Sequence, residues 1–208
     1  MAAPKLNPRV VLWEVDTQAD FMLPSGKLYV PGAETRIPNM RRLVDAARGG
    51  KVFLISSTDQ HEPDDIEFQR FPPHCVRGTP GAEIVPELKA AESAHIENSG
   101  AADIPPNISG AHQVIIEKQT LDVFDNPATE KLLARFPQDC DFIVFGVVTE
   151  FCVRLAAKGL LDRGRRVALA TDAIEALGAK EGKKTLDELA GRGARLITTS
   201  DALALIER

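Results

Sequence analysis

The stretch DFIVFGVVTEFCVRLAA, residues 141–157, decides the fold. Its opening DFIVFGVV is apolar and β-branched almost without a break, the pattern of a parallel strand covered on both faces. Beyond it, residues 151–163 are apolar over most of a helical circumference, which predicts a buried helix, and Thr149 is a suitable N-cap for it. A strand that runs directly into a buried helix is one unit of a wound α/β sheet. Runs of the same kind recur at residues 9–16 (RVVLWEVD), 51–59 (KVFLISSTD), 113–118 (QVIIEK), 166–173 (RVALATDA) and 194–201 (ARLITTSD). Helical periodicity falls between several of them. Residues 34–48 carry Ile37, Met40, Leu43, Val44 and Ala47 on one stripe, residues 180–191 carry Leu186 and Leu189, and a short last helix begins at about Asp201. The alternation predicts a three-layer α/β/α domain spanning residues 1–208, with a mainly parallel sheet and helices on both faces.

Composition narrows the partners. The 208-residue chain is 44% hydrophobic and 26% charged, with a net charge of −5, values ordinary for one globular domain. A mildly acidic chain without a basic run argues against nucleic acid, and no apolar run approaches a membrane span. The opening MAAPKLNPRVVLWEVD leads straight toward a strand with no secretory apolar core. The cysteines, Cys75, Cys140 and Cys152, are odd in number and widely spaced, so the expectation is reduced thiols in the cytoplasm.

In an open parallel sheet, ligands bind beyond the carboxyl ends of the strands. Those ends read Asp16, Asp59, Lys118 and, just past FGVV, Cys152. Cys152 falls in the first turn of the predicted helix, where outward N–H groups and the helix dipole favour a thiolate nucleophile. Asp16 can accept the thiol proton and return it to a leaving amine. Lys118 can hold both anions in place. Taken singly, each residue has a plainer reading: a packed core cysteine, a turn aspartate, a surface lysine. No Gly-x-Gly-x-x-Gly follows the first run, where DTQADF stands instead, and this excludes a dinucleotide-binding dehydrogenase.

The chain resembles the isochorismatase-like cysteine hydrolases and, within them, the nicotinamidases. The resemblance rests on VDTQADF (15–21), TDQH (58–61), FPPHCVRGTPGAE (71–83), EK (117–118) and GVVTEFCV (146–153). It implies a six-stranded, Rossmann-like sheet, a homo-oligomer and a small-molecule amide substrate. It also implies a catalytic Asp16–Lys118–Cys152 triad, a cis peptide at Val147–Val148, and an oxyanion hole from the N–H groups of Val148 and Cys152. Phe21 and Phe71 match the positions that flank the substrate ring.

The same resemblance gives a role to TDQHEPDDIEFQRFPPHCVRGTPG, residues 58–81, a proline-stiffened loop rich in acids with two histidines. Without it, the loop reads more readily as a solvated acidic excursion with two incidental histidines. With it, Asp59, His61, His74 and Glu67 are expected to hold a divalent metal, with zinc first and iron or manganese as alternatives. Asp64 and Asp65 compete with Glu67 for the fourth place. Cys75 points elsewhere, and Cys140, His95 and His112 lie outside every motif. Two departures from the nicotinamidase pattern bear on substrate. KQTLDVFDNPATEKLL (118–133) stands where a Ser-rich aromatic segment is usual, and Phe71 stands where tryptophan is frequent. Metal-free relatives acting on isochorismate, biuret, ureidoacrylate or another carbamoyl compound, and a non-catalytic metal- or metabolite-binding module, are the alternatives.

Overall fold

A computed structural model of the chain describes Leu6 and residues 8–90, 92–101 and 103–208. Most of the opening segment, residues 1–5 and 7, lies outside the described residues. The strands are β1 (Val10–Val15), β2 (Phe53–Asp59), β3 (Ser93–Ile96), β4 (Gln113–Lys118), β5 (Asp141–Gly146), β6 (Arg166–Ile174) and β7 (Arg195–Ile197). The helices are α1 (Ala19–Met22), α2 (Ile37–Arg48), α3 (Pro127–Leu133), α4 (Arg154–Asp162), α5 (Ala179–Gly191) and α6 (Thr199–Ile206).

The sheet has seven strands in the order β3-β4-β2-β1-β5-β6-β7, and every neighbouring pair is parallel. This corrects the expected six. The additional strand is β3, at the edge beyond β4. Only one of its faces is covered: Ala94 and Ile96 are buried while His95 is exposed. Such a strand shows no continuous apolar run, and four residues are too few to display alternation. Without β3, the order is that of a doubly wound sheet, and the point where it reverses lies between β1 and β5. No described helix is long and apolar enough to cross a membrane.

Buried side chains alternate across β1. Trp13 packs against Phe124 and Phe142 on one face. Glu14 lies on the other face and is fully buried, an unusual place for a carboxyl. Thr17 Oγ1 donates to Glu14 Oε1 at 2.7 Å, and Gln113 Nε2 and Ser56 Oγ donate to Oε2, the former at 3.0 Å. Burial outweighs these bonds and pushes the Glu14 pKa up to about 7.

A raised carboxyl pKa means that the fold binds this proton more tightly than the unfolded chain does. Its penalty is therefore absent below the unfolded value, grows as pH rises, and is complete above about 7. Full ionisation costs about 3 kcal/mol. Glu14→Gln keeps the shape without the charge. Its stability relative to the parent is expected to rise by about 3 kcal/mol between pH 5 and pH 8 in urea unfolding. A difference that stays constant over that range would mean that Glu14 does not titrate in the fold.

Candidate active site

The site lies at the carboxyl rim of β1, β2, β4 and β5. The Asp16 N–H still bonds Ser57 O at 3.0 Å, but at φ +49° the chain turns out of the ladder. That turn sends the Asp16 carboxylate along the rim. Oδ1 accepts from Ser57 Oγ at 3.3 Å, and Oδ2 lies 2.9 Å from Lys118 Nζ, an ion-pair contact rather than an aligned hydrogen bond. Lys118 ends β4 and is only 1% exposed. Its ammonium also touches Asp59 Oδ1 and stands 3.6 Å from Cys152 Sγ.

Cys152 is brought there by the end of β5. At Gly146, φ is +121°, and a Cβ would fall 2.0 Å from Val15 O, so only glycine lets the two strand ends come this close. The Val147–Val148 peptide is cis. A π-helical turn, Thr149–Val153, then leads into α4 with Val148 as its N-cap. Thr149 is inside that turn rather than capping it, and its hydroxyl donates to Glu175 O at 2.8 Å. Val148 N–H donates to no backbone acceptor among the described residues.

Burial sets the charges. It raises Asp16 to about 6, against the pull of the Lys118 ammonium. It drives the Cys152 thiol well above its ordinary value, again against Lys118. For Lys118 itself, burial would lower the pKa, but the Asp16 and Asp59 carboxylates outweigh it and hold the ammonium charged. The resting state is therefore a neutral thiol 3.6 Å from the Lys118 ammonium, not the standing thiolate expected from the helix start alone. The structure brings Asp16 and Cys152 each against the Lys118 ammonium on one rim.

On the other side of Lys118, Asp59, His61 and His74 are all buried, and one ligand atom from each lies within 4.8 Å of the others. A short parallel bridge between His61 and Val76 closes the long loop, so His74 returns beside His61. His61 Nδ1 is 3.0 Å from Asp65 Oδ2, and His74 Nδ1 is 2.8 Å from Pro72 O. Both Nε2 atoms are left facing Asp59 Oδ2, each at 3.9 Å. His61 Nε2 is buried without a hydrogen-bond partner. An orphaned imidazole nitrogen, a second imidazole and a carboxylate oxygen, with both rings oriented through their other nitrogen, fit a divalent cation. Glu67 is not in this cluster, although it lines the adjoining cavity. Asp65, which competed with it, lies behind His61, and Asp64 is exposed.

Between the two groups opens a cavity of about 500 Å³, counting its mouth. Cys152, Val148, Asp59 and His74 line it, together with Phe21 and Phe71. The Phe21 and Phe71 rings meet His74 edge-on at 5.3 and 6.4 Å. Sequence reasoning missed Leu28, Tyr29, Val30, Leu121, Phe151 and Leu177, which complete the lining. Leu121 lies in the segment that departs from the nicotinamidase pattern. Cys75 is buried and its N–H bonds Asp20 Oδ2 at 2.8 Å, away from the ligand atoms.

Known proteins resemble the chain over nearly its whole length. The nicotinamidase of Escherichia coli (strain K12) is 25% identical over 221 residues, covering 94% of this chain and 97% of that protein. The nicotinamidase/pyrazinamidase of Mycobacterium tuberculosis (strain ATCC 25618 / H37Rv) is 26% identical over 191 residues, covering 89% and 97%. Among solved structures, the pyrazinamidase of Pyrococcus horikoshii in complex with zinc superposes with a TM-score of 0.72 at 27% identity, covering 92% of this chain and 99% of that one. These relatives mark the chain as a hydrolase acting on amides, on the nicotinamidase branch. Residues 10–201, which carry every strand and all the site residues above, match the isochorismatase domain, and the chain belongs to that family.

Proposed function

We propose that the protein hydrolyses a small primary amide on a heteroaromatic ring, nicotinamide before others, to the acid and ammonia. The observation that carries this reading is one largely apolar cavity whose lining includes both Cys152 and the Asp59–His74 side of the metal cluster. Asp16 takes the Cys152 proton as the sulfur attacks the amide carbonyl. The tetrahedral oxyanion forms beside Val148 and Cys152, whose N–H groups serve as its donors. Asp16 returns the proton to the leaving amine, ammonia departs, and water hydrolyses the thioester. Lys118 keeps Asp16 in register and lowers the cost of the transient thiolate. Asp59, His61 and His74 would hold a divalent ion, zinc first and iron or manganese next, and Glu67, which lines the adjoining cavity, would act through water. When bound, such an ion supplies a Lewis-acid position for a ring nitrogen. Phe21 and Phe71 hold the ring between them.

The lining also separates the candidate substrates. Among the described residues, no arginine or lysine lines the cavity. An isochorismate-like dianion would meet two carboxylates and mostly apolar walls there, with no arginine or lysine to pair with, and a linear carbamoyl compound would leave those walls unused. An ammonia-release screen of nicotinamide, pyrazinamide, biuret and ureidoacrylate, on metal-loaded and chelator-treated protein, tests the reading. The ring amides are expected to exceed the carbamoyl compounds by about 100-fold in kcat/KM, and chelation to lower turnover of the ring amides. Preference for a carbamoyl substrate would overturn it.

A further inference from the structure

We propose that Gln18 is a positioning residue: its carboxamide takes the place of the strand partner that β1 withdraws, and so fixes the Asp59 carboxylate for both Lys118 and the metal cluster. The proposal rests on the metal reading given above.

The reason lies in the ladder. β1 follows β2 through the pair Val15–Ser57, and the last β1-side bond runs from Asp16 N to Ser57 O. β1 then turns away at Asp16, but β2 continues through Thr58 to Asp59. On its far side this extension is served by β4, in register Thr58–Glu117 and Asp59–Lys118. On its near side, the N–H and C=O of Asp59 have lost the backbone that would have paired with them. Asp59 is 3% exposed, so water does not reach these groups freely.

Gln18 supplies what is missing. Its Oε1 accepts from Asp59 N at 2.7 Å, and its Nε2 donates to Asp59 O at 2.7 Å. The second Nε2 hydrogen goes to Ala82 O, also at 2.7 Å. One backbone donor and two backbone carbonyls leave a single possible orientation of the amide. Gln18 is itself fully buried, and its backbone is fixed by a bridge to Ile84. A peptide-like group thus grips both ends of Asp59 and ties it to the segment that follows the histidine loop. With the peptide fixed, Asp59 Oδ1 faces Lys118 and Oδ2 faces both imidazoles. Rotation of that peptide would carry the carboxylate off both partners.

Gln18→Met preserves length and burial and deletes all three bonds. Cobalt(II) serves as the probe, followed by its visible d–d absorption and by calorimetry on metal-stripped protein. Wild-type protein is expected to bind it. Gln18→Met is expected to bind about 10- to 100-fold more weakly with an altered spectrum, and kcat to fall with little change in KM. A purely structural role would lower the melting temperature of the stripped protein and leave cobalt affinity and spectrum unchanged, and that result overturns the proposal. If Gln18→Met does not fold, Gln18→Asn, which keeps the amide but is one methylene too short, is read the same way. Failure of wild-type protein to bind cobalt would instead overturn the metal reading, and the inference with it.

Discussion

Cys152→Ala is expected to lose at least about a thousandfold in ammonia release, with fold and metal content unchanged. The loss is total in kind because the other groups have no substitute to act on. Asp16 ionises at about 6, well matched to take a proton from a thiol in concert with attack and poorly matched to activate a hydroxyl. Cys152→Ser is therefore expected to be nearly as inactive as the alanine variant. Cys152 is 6% exposed and Asp59, His61 and His74 form their cluster without its sulfur, so removing one atom leaves a small cavity and an intact metal site. Melting curves and metal analysis check that half of the expectation. Quenching a slow amide with acid and weighing the intact protein checks the other half: an acyl adduct on the parent and none on the variant. If the alanine variant retains more than about a twentieth of parental turnover, the thioester route is wrong.

The depth to which the site was legible follows from how each residue is placed. Asp16, Asp59, Lys118 and Cys152 stand at or just past strand ends, and a parallel sheet sets all such ends on one rim, so apolar runs alone gather them. Finer geometry is not written in those runs. That Asp65 rather than Glu67 serves His61 is fixed by a 3-10 turn over Ile66–Gln69, which begins with Asp65 accepting from Glu67 N at 2.9 Å. Spacing in an irregular loop does not specify that rotation. Gln18 escaped notice for a related reason: its role exists only because Asp16 leaves the ladder at positive φ, and DTQADF does not announce where the ladder stops. The helix Pro127–Leu133 did carry a signal, with Asn126 capping Ala128 N at 2.9 Å and proline at the first position. Its apolar face is merely too short to show a period. Edge strand β3 and buried Glu14 are the same lesson from opposite sides, one too exposed and the other too polar for a pattern built on covered apolar runs.

Lys118→Met should have the second large effect, and it acts on stability as well as rate. The ammonium stands between the Asp16 and Asp59 carboxylates, which are 1% and 3% exposed. A methionine fills the volume but leaves two buried anions facing each other, and breaking such a pairing costs about 3–5 kcal/mol. In the parent, burial would raise Asp59, but Lys118 and His61 together outweigh it and hold that carboxyl below its ordinary value. Without the lysine, Asp59 loses its strongest counter-charge and Asp16, already raised to about 6, rises further. The deficit of the variant is then complete at neutral to alkaline pH and shrinks as acid protonates the pair, because the fold takes up those protons before the unfolded chain does. Urea unfolding of parent and variant from pH 8 to pH 5 measures this gap. A gap that does not narrow toward pH 5 would assign the loss to packing. Turnover should fall by at least about 100-fold at every pH, since protonating Asp16 restores the fold only by removing the base.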